Sequence, residues 1–344
     1  GFNWHLFADD GRPSVTFSGP TPSHWYNTDQ LAGIAVADTG GGRPPSGIAG
    51  FSDAWNSNPG DPTSESTPGA GNSFYSGPEF VNATFGSVYL SDVGQGCGTL
   101  NVQAWDNMGL QSGDVTDGPL CYDTVAPTIT AAPTMKLTNH AGPISAKIPV
   151  TVQWSGTDAT SGVNHYVLGQ STDGGAFTRV TTTAATAVAL QLAPGHSYKY
   201  RVTATDNAGN SSLIKAGPSY KLSVVQENAS TVKYSAGWTR QAVSGANGGN
   251  VDYANVAGKT ATFTFTGAQV AWVSTLGTTR GTATVQLDSG APVSVSTNAA
   301  ATKTAEVVDV VQVASGAHKL VIKVLATAKH PRVDVDAFIV LATT

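Results

Sequence analysis

The sequence predicts an all-β protein built from antiparallel sandwiches, and three observations carry that prediction. Short runs such as VQAW and RVTAT alternate apolar and polar residues at period two, with Val, Tyr and Thr enriched and Gly, Pro, Asn or Asp at the breaks. Turn signals recur about every eight to twelve residues, and no long window keeps a helical apolar stripe free of Gly and Pro. The third observation is an internal repeat. SVYLSDVGQGCGTLNVQAWDNMGLQS (87–112) aligns without a gap on AVALQLAPGHSYKYRVTATDNAGNSS (187–212), so that Asp106 falls on Asp206 and Gly109 on Gly209. Further back, ADTGGGRPPSGIAGFSDAW (37–55) echoes GTDATSGVNHYVLGQSTDGG (156–175), and the first copy carries about twenty extra residues in its middle, around FSDAWNSNPGDPTSESTPGAGNSF. The DN(A/M)G corner reads as a hairpin connection in which Gly109 and Gly209 supply a positive φ.

The first module, residues 1–125, is acidic: it carries 2 basic and 13 acidic residues, against 7 and 3 in residues 126–225 and 9 and 7 in residues 226–344, for a total of −5. Asp9, Asp10, Asp38, Asp53 and Asp61 stand in Gly- and Pro-rich turns of the kind that offer several oxygens to calcium, although their spacing matches no EF-hand loop and Asp is also a common turn former. Cys97 precedes the strand TLNVQAW and Cys121 lies in PLCYD, the next strand, so a disulfide between neighbouring antiparallel strands is expected. In the chain-entropy account, closing a loop of about 25 residues contributes roughly 3 kcal/mol. Two reduced thiols and a two-cysteine metal site are the alternatives. The chain opens in GFNWHLFADDGRPSV, which reads as the tail of a preceding strand and suggests a mature or excised piece of a longer secreted precursor.

The run AWDNMG followed by CYDTVAPT, with SGV, STDGG and YKYRVTATDNAGNSS behind it, resembles the bacterial immunoglobulin-like and fibronectin III-like modules of secreted and cell-surface proteins. The resemblance covers roughly residues 12–225 and implies two immunoglobulin-like β-sandwiches, residues 1–125 and 126–225, serving as spacers, adhesive surfaces or appendages to enzymes. Residues 226–344 follow a different pattern. TATFTFTG, QVAWVST, GTATVQLD, HKLVIKVL and VDVDAFIVL each alternate as strands. With the opening Y-S-x-x-W, the stretch RGTATVQLD, the G-A-H-K-L turn and the terminal D-V-D-A-F, this segment resembles the galactose-binding-like jelly rolls, close to carbohydrate-binding modules of families 6 and 35.

The resemblance implies a ligand at the loops joining the two sheets. Tyr253, Trp238, Asn298, His330 and Arg332 fall in comparable places, and Trp272 and Arg280 flank the loop STLGTTRG. An aromatic ring would supply the platform for a sugar's C–H face and the polar groups would take its hydroxyls. Other readings stay open: Trp272 inside QVAWVST as core, Tyr234 and Trp238 as a plug closing the sandwich, Arg280 as a brace for its own hairpin. Such jelly rolls commonly hold a structural calcium between first and last strands, which here would draw on Glu227 and Asp336.

No G-x-S-x-G, H-E-x-x-H, phosphate-binding Gly loop or C-x-x-C pair is present, Glu occurs only at 65, 79, 227 and 306, and the seven His are scattered. The net negative charge and the absence of a basic stripe argue against nucleic acid, and no run of eighteen apolar residues offers a membrane span. The expectation is an extracellular or cell-surface, non-catalytic bacterial protein that binds glycan or cell-surface polysaccharide through the third module. The competing readings are a surface-layer or filament subunit pairing with copies of itself, and the non-catalytic tail of a secreted hydrolase.

Overall fold

The computed structural model describes residues 9–59, 74–75, 81–140 and 142–344. As the alternation predicts, the protein is all-β: the helices among the described residues are two short 3-10 turns, Leu90–Val93 and Asn247–Gly249. None is long and apolar enough to cross a membrane. The chain divides into two compact units. One takes the described residues up to Thr128 with the segments Thr157–Asn164 and Thr205–Ser212; the other takes Ile129–Gly156, His165–Ala204 and Leu213–Thr344.

In the first unit a three-stranded sheet, Ser14–Ser18, Leu31–Ala37 and Ala83–Tyr89, accompanies a five-stranded one ordered Trp25–Tyr26, Val115–Tyr122, Gly96–Asp106, Ile48–Trp55 and Phe74–Tyr75. Alternation sets the core: Ala32, Ile34 and Val36 point inward to meet Phe51, Leu100, Val102 and Leu120. Gly86 makes room for Phe51, since a Cβ there would lie 2.4 Å from the ring's Cζ. Cys97 and Cys121 are cross-strand partners and form a disulfide with an S–S distance of 2.01 Å. The hairpin corners have the expected positive φ, 82° at Gly109 and 96° at Gly209.

In the second unit, the strands Thr128–Leu137, Ile148–Thr157 and Ala187–Leu192 make one sheet, and a ten-stranded sheet carries the rest of that sandwich and much of the jelly roll. The joint is the strand Lys215–Gln226, which pairs antiparallel with Ala337–Thr343 from Tyr220↔Thr343 to Gln226↔Ala337. The expected boundary between residues 225 and 226 therefore falls within a continuous sheet. The buried Gln269 amide strengthens the joint, donating to Met135 O (3.1 Å) and accepting from Leu137 N–H (2.9 Å). A three-stranded sheet, Thr239–Ala242, Asn250–Ala254 and Val333–Val335, faces the other way across a core of Phe263, Trp272, Ile322, Val333, Val335 and Phe338.

Candidate functional site

The jelly-roll candidates divide according to strand parity. Val333 and Val335 are core residues, so Asp334 between them points to the opposite face, opposite Tyr253 in the neighbouring strand. Asp334 is 0% exposed. Its Oδ2 accepts from Arg280 Nε at 2.8 Å and its Oδ1 from Arg332 Nε at 2.5 Å, so one buried carboxylate holds two guanidinium groups. The Asp334 carbonyl accepts from the Trp272 indole N–H (3.2 Å) and the Ser274 hydroxyl (2.7 Å). Beyond the carboxylate, the Arg332 guanidinium carbon lies 3.9 Å from the centre of the Tyr253 ring, in cation–π contact.

The loops closing over this face depend on one glycine. A Cβ on Gly281 would lie 1.8 Å from His330 O, so only glycine admits this approach, and the Gly281 N–H donates to Arg332 O at 2.8 Å. Asn298 Nδ2 donates to Arg280 O (3.1 Å) and lies 3.3 Å from His330 Nδ1, which also contacts Thr278 O. The fold thus assembles Tyr253, Arg280, Asn298, His330 and Arg332 in one place. Tyr253 Oη and Asn298 Oδ1 make no hydrogen bond within the described protein, and Arg332 Nη2 is a buried donor without a partner. Tyr253 and Asn298 are accessible enough to offer these atoms to a ligand, whereas Arg332 Nη2 is enclosed. Sequence reasoning missed Asp334, the residue that organises both arginines; an Asp on the outward parity of RVDVD, flanked by a basic residue, was the available signal.

Two predicted ligand residues lie elsewhere and need correction. Trp272 is 1% exposed within the core and offers no ring face. Trp238 packs against the same core and against Tyr234, ring centres 4.9 Å apart, on the parity opposite Tyr253. Both follow the bland reading, because an indole on the inward parity of a strand contributes more by burial than by exposure.

Glu227 and Asp336 are 1% and 0% exposed. The Glu227 Oε1 lies 2.6 Å from Arg240 Nη2, yet burial keeps its pKa raised. Asp336 has no such cation. Burial first, with the charges of Glu227 and Asp334 adding to it, pushes its pKa up to about 7. One oxygen accepts from Asn247 N–H at 3.1 Å and the other, Oδ1, is buried without a partner. The orphaned Asp336 oxygen is the kind of donor calcium takes, while Glu227 is already engaged by Arg240.

A cavity of about 800 Å³ elsewhere on the second unit is lined by Phe263, Phe265, Asp288, His318, Lys319 and Val340. Its Phe rings are 1% and 8% exposed, too little for a sugar to stack on. Among the turn carboxylates of the first module, Asp9 and Asp38 converge with Asp106; Asp10 instead faces Arg43 at 3.6 Å, Asp53 is buried in the strand Ile48–Trp55, and Asp61 lies outside the described residues.

No family model matches the sequence, and no curated protein matches it. Solved structures that resemble it include the fibronectin(III)-like modules of Clostridium thermocellum CbhA, at 13% identity and a TM-score of 0.26 over 59% of this chain and 91% of that one. A carbohydrate-binding module of the β-sandwich superfamily gives 11% identity and a TM-score of 0.20, over 64% of this chain and 98% of that one. A bacterial ice-binding adhesin gives 14% and 0.31, over 96% and 97%. At these scores none bears on what this chain binds.

Proposed function

We propose that the protein is an extracellular, non-catalytic, multi-module protein that binds a neutral saccharide through its C-terminal jelly roll, with the two sandwiches as spacers. The observation that supports this most is the convergence of Tyr253, Arg280, Asn298, His330 and Arg332 on one face, held by Asp334 and leaving free an aromatic hydroxyl and an amide oxygen. Donors and acceptors fixed in place beside a ring edge are what a sugar hydroxyl pair requires. The disulfide is at home in an oxidising compartment. A structural calcium in the jelly roll would be held by Glu227 and Asp336, where it neutralises buried negative charge and ties the first strand to the last.

A glycan array probed with the full chain tests the reading. Binding in the micromolar to millimolar range is expected, because stripping polar groups of water leaves a modest surplus. Tyr253→Ala should weaken it by about 1–2 kcal/mol, with Trp272 and Trp238 variants affecting stability instead. No binding across a broad panel would leave the second reading, a subunit that assembles with copies of itself. That reading draws on Leu31, Phe85 and Tyr89, 51%, 76% and 55% exposed on one sheet face, whose outer strand Ala83–Tyr89 is an edge among the described residues.

A further inference from the structure

Three buried carboxylates meet in the first sandwich. Asp9, Asp38 and Asp106 each place an oxygen within 4.8 Å of the others, and they are 7%, 4% and 2% exposed. Backbone amides fix most of their oxygens. Asp9 accepts from Gly11 (2.9 Å) and Ser46 (2.7 Å), Asp38 from Gly40 (3.0 Å) and Gly47 (2.8 Å), and Asp106 Oδ1 from Met108 (2.9 Å) and Leu110 (2.8 Å). The remaining oxygen, Asp106 Oδ2, is buried and has no partner. No ion pair among the described residues engages any of the three; the nearby Arg43 pairs with Asp10. Capping a turn requires one carboxylate per loop and gives no reason for three from separate loops to face one another. Burying such charges unpaired is costly.

The same arrangement occurs a second time. Asp123, Asp158 and Asp206 also bring oxygens within 4.8 Å, and all belong to the first compact unit. They occupy equivalent places in the internal repeat: a proline stands four residues after Asp9 and Asp123, a Ser-Gly pair follows Asp38 and Asp158, and Asp106 and Asp206 open the DN(M/A)G corner. The hydrogen bonds repeat as well. Ser161 N–H donates to Asp123 (3.0 Å) as Ser46 does to Asp9, Gly162 N–H to Asp158 (2.8 Å) as Gly47 does to Asp38, and Asn210 N–H to Asp206 (2.8 Å) as Leu110 does to Asp106. Asn107 and Asn207 each donate to the Ser46 or Ser161 carbonyl, at 2.8 and 2.6 Å. The Ser46 and Ser161 hydroxyls, equivalent in the repeat, are likewise buried and without a partner, whereas Asp206 Oδ2, the counterpart of Asp106 Oδ2, accepts from Asn210 Nδ2 at 2.9 Å.

We propose that each of these two carboxylate triads binds one divalent cation of calcium's size, a duplicated metal site that fastens the module's entry segment, the loop after its first turn and its hairpin corner to one another. Donors that are all oxygen select a hard cation over zinc or copper, and three carboxylates drawn from irregular loops suit calcium's flexible coordination better than the strict octahedron of magnesium. In the second set, the cation would tie the segments Thr157–Asn164 and Thr205–Ser212 to the chain around Asp123. The inference is independent of the glycan reading and of Glu227 and Asp336.

Calorimetric titration of the chelator-stripped full chain with calcium chloride, for wild type, Asp106→Asn, Asp206→Asn and the double variant, tests it. Each single variant should bind one calcium fewer than wild type and the double variant two fewer, whatever the jelly roll contributes. A variant that fails to fold is replaced by Asp38→Asn or Asp158→Asn at the same site. Calcium should also slow proteolysis of wild type within 157–164 and 205–212 at least tenfold. Unchanged stoichiometry in the variants, tighter binding of magnesium than of calcium, or proteolysis indifferent to calcium would each overturn the proposal.

Discussion

Asp334, within the strand Val333–Val335, and Asp336, in the link to Ala337–Thr343, stand two residues apart near the end of the chain and are both 0% exposed, yet they meet opposite fates. Asp334 is clasped by two guanidinium groups, whereas Asp336 has one amide, an orphaned oxygen and a pKa pushed up to about 7. Burial alone therefore says nothing of what a carboxylate is for. The carboxylate clasped by two arginines organises the surface around it, while Asp336 and the aspartate triads are held by amide donors alone and by no arginine or lysine among the described residues.

The contrast can be broken most forcefully at Asp334. Asp334→Ala should cost about 3–5 kcal/mol of stability, since it strands two part-buried guanidiniums, and urea unfolding measures it. A loss under about 1 kcal/mol would mean the arginines relax to solvent and that the carboxylate is dispensable.

Asp336 should show the reverse behaviour. A folded-state pKa of about 7, above the ordinary 3.8, means the folded chain holds the proton more tightly than the unfolded one. In chelator, this group's contribution is therefore most favourable below about pH 4, is lost progressively as pH rises towards 7, and is flat beyond, a swing on the order of 4 kcal/mol. Asp336→Asn should abolish that swing and calcium should flatten it, by supplying the positive charge the proton otherwise supplies. Stability that rises over this range in the wild type but not in the variant would refute the assignment.

The smallest effect is expected at the rim. Tyr253→Leu removes the ring beneath the Arg332 guanidinium and should cost about 0.5–1 kcal/mol of stability. A double-mutant cycle with Arg332→Lys separates that contact from the ring's part in glycan binding.

Much of the fold was legible in the sequence because period two is imposed by the strand itself. The alternation in VQAW, RVTAT and QVAWVST predicted strands where strands form, and the disulfide followed from two cysteines on adjoining strands. Of the two readings open for Trp272, core and platform, the structure takes the core one. What parity cannot reveal is a meeting of residues far apart in sequence. Asp106 was visible as a turn residue, and it does cap its own turn through Oδ1, but nothing in the chain near it announces Asp9 or Asp38. The continuity of the sheet at Gln226 was hidden for a similar reason: pairing of Lys215–Gln226 with Ala337–Thr343 spans more than a hundred residues, and the change of pattern at 226 reads as a break.

That shared sheet has a mechanical meaning. The strand Ala337–Thr343 lies between Lys215–Gln226 and Thr260–Leu276, antiparallel to both. Tension on this strand along its length would load two ladders of hydrogen bonds in shear, many at once, where a linker between modules would have extended and let the jelly roll swivel. A module joined in this way would keep its direction under load, and torque on it would pass into the neighbouring sandwich as bending of one stiff β-ribbon.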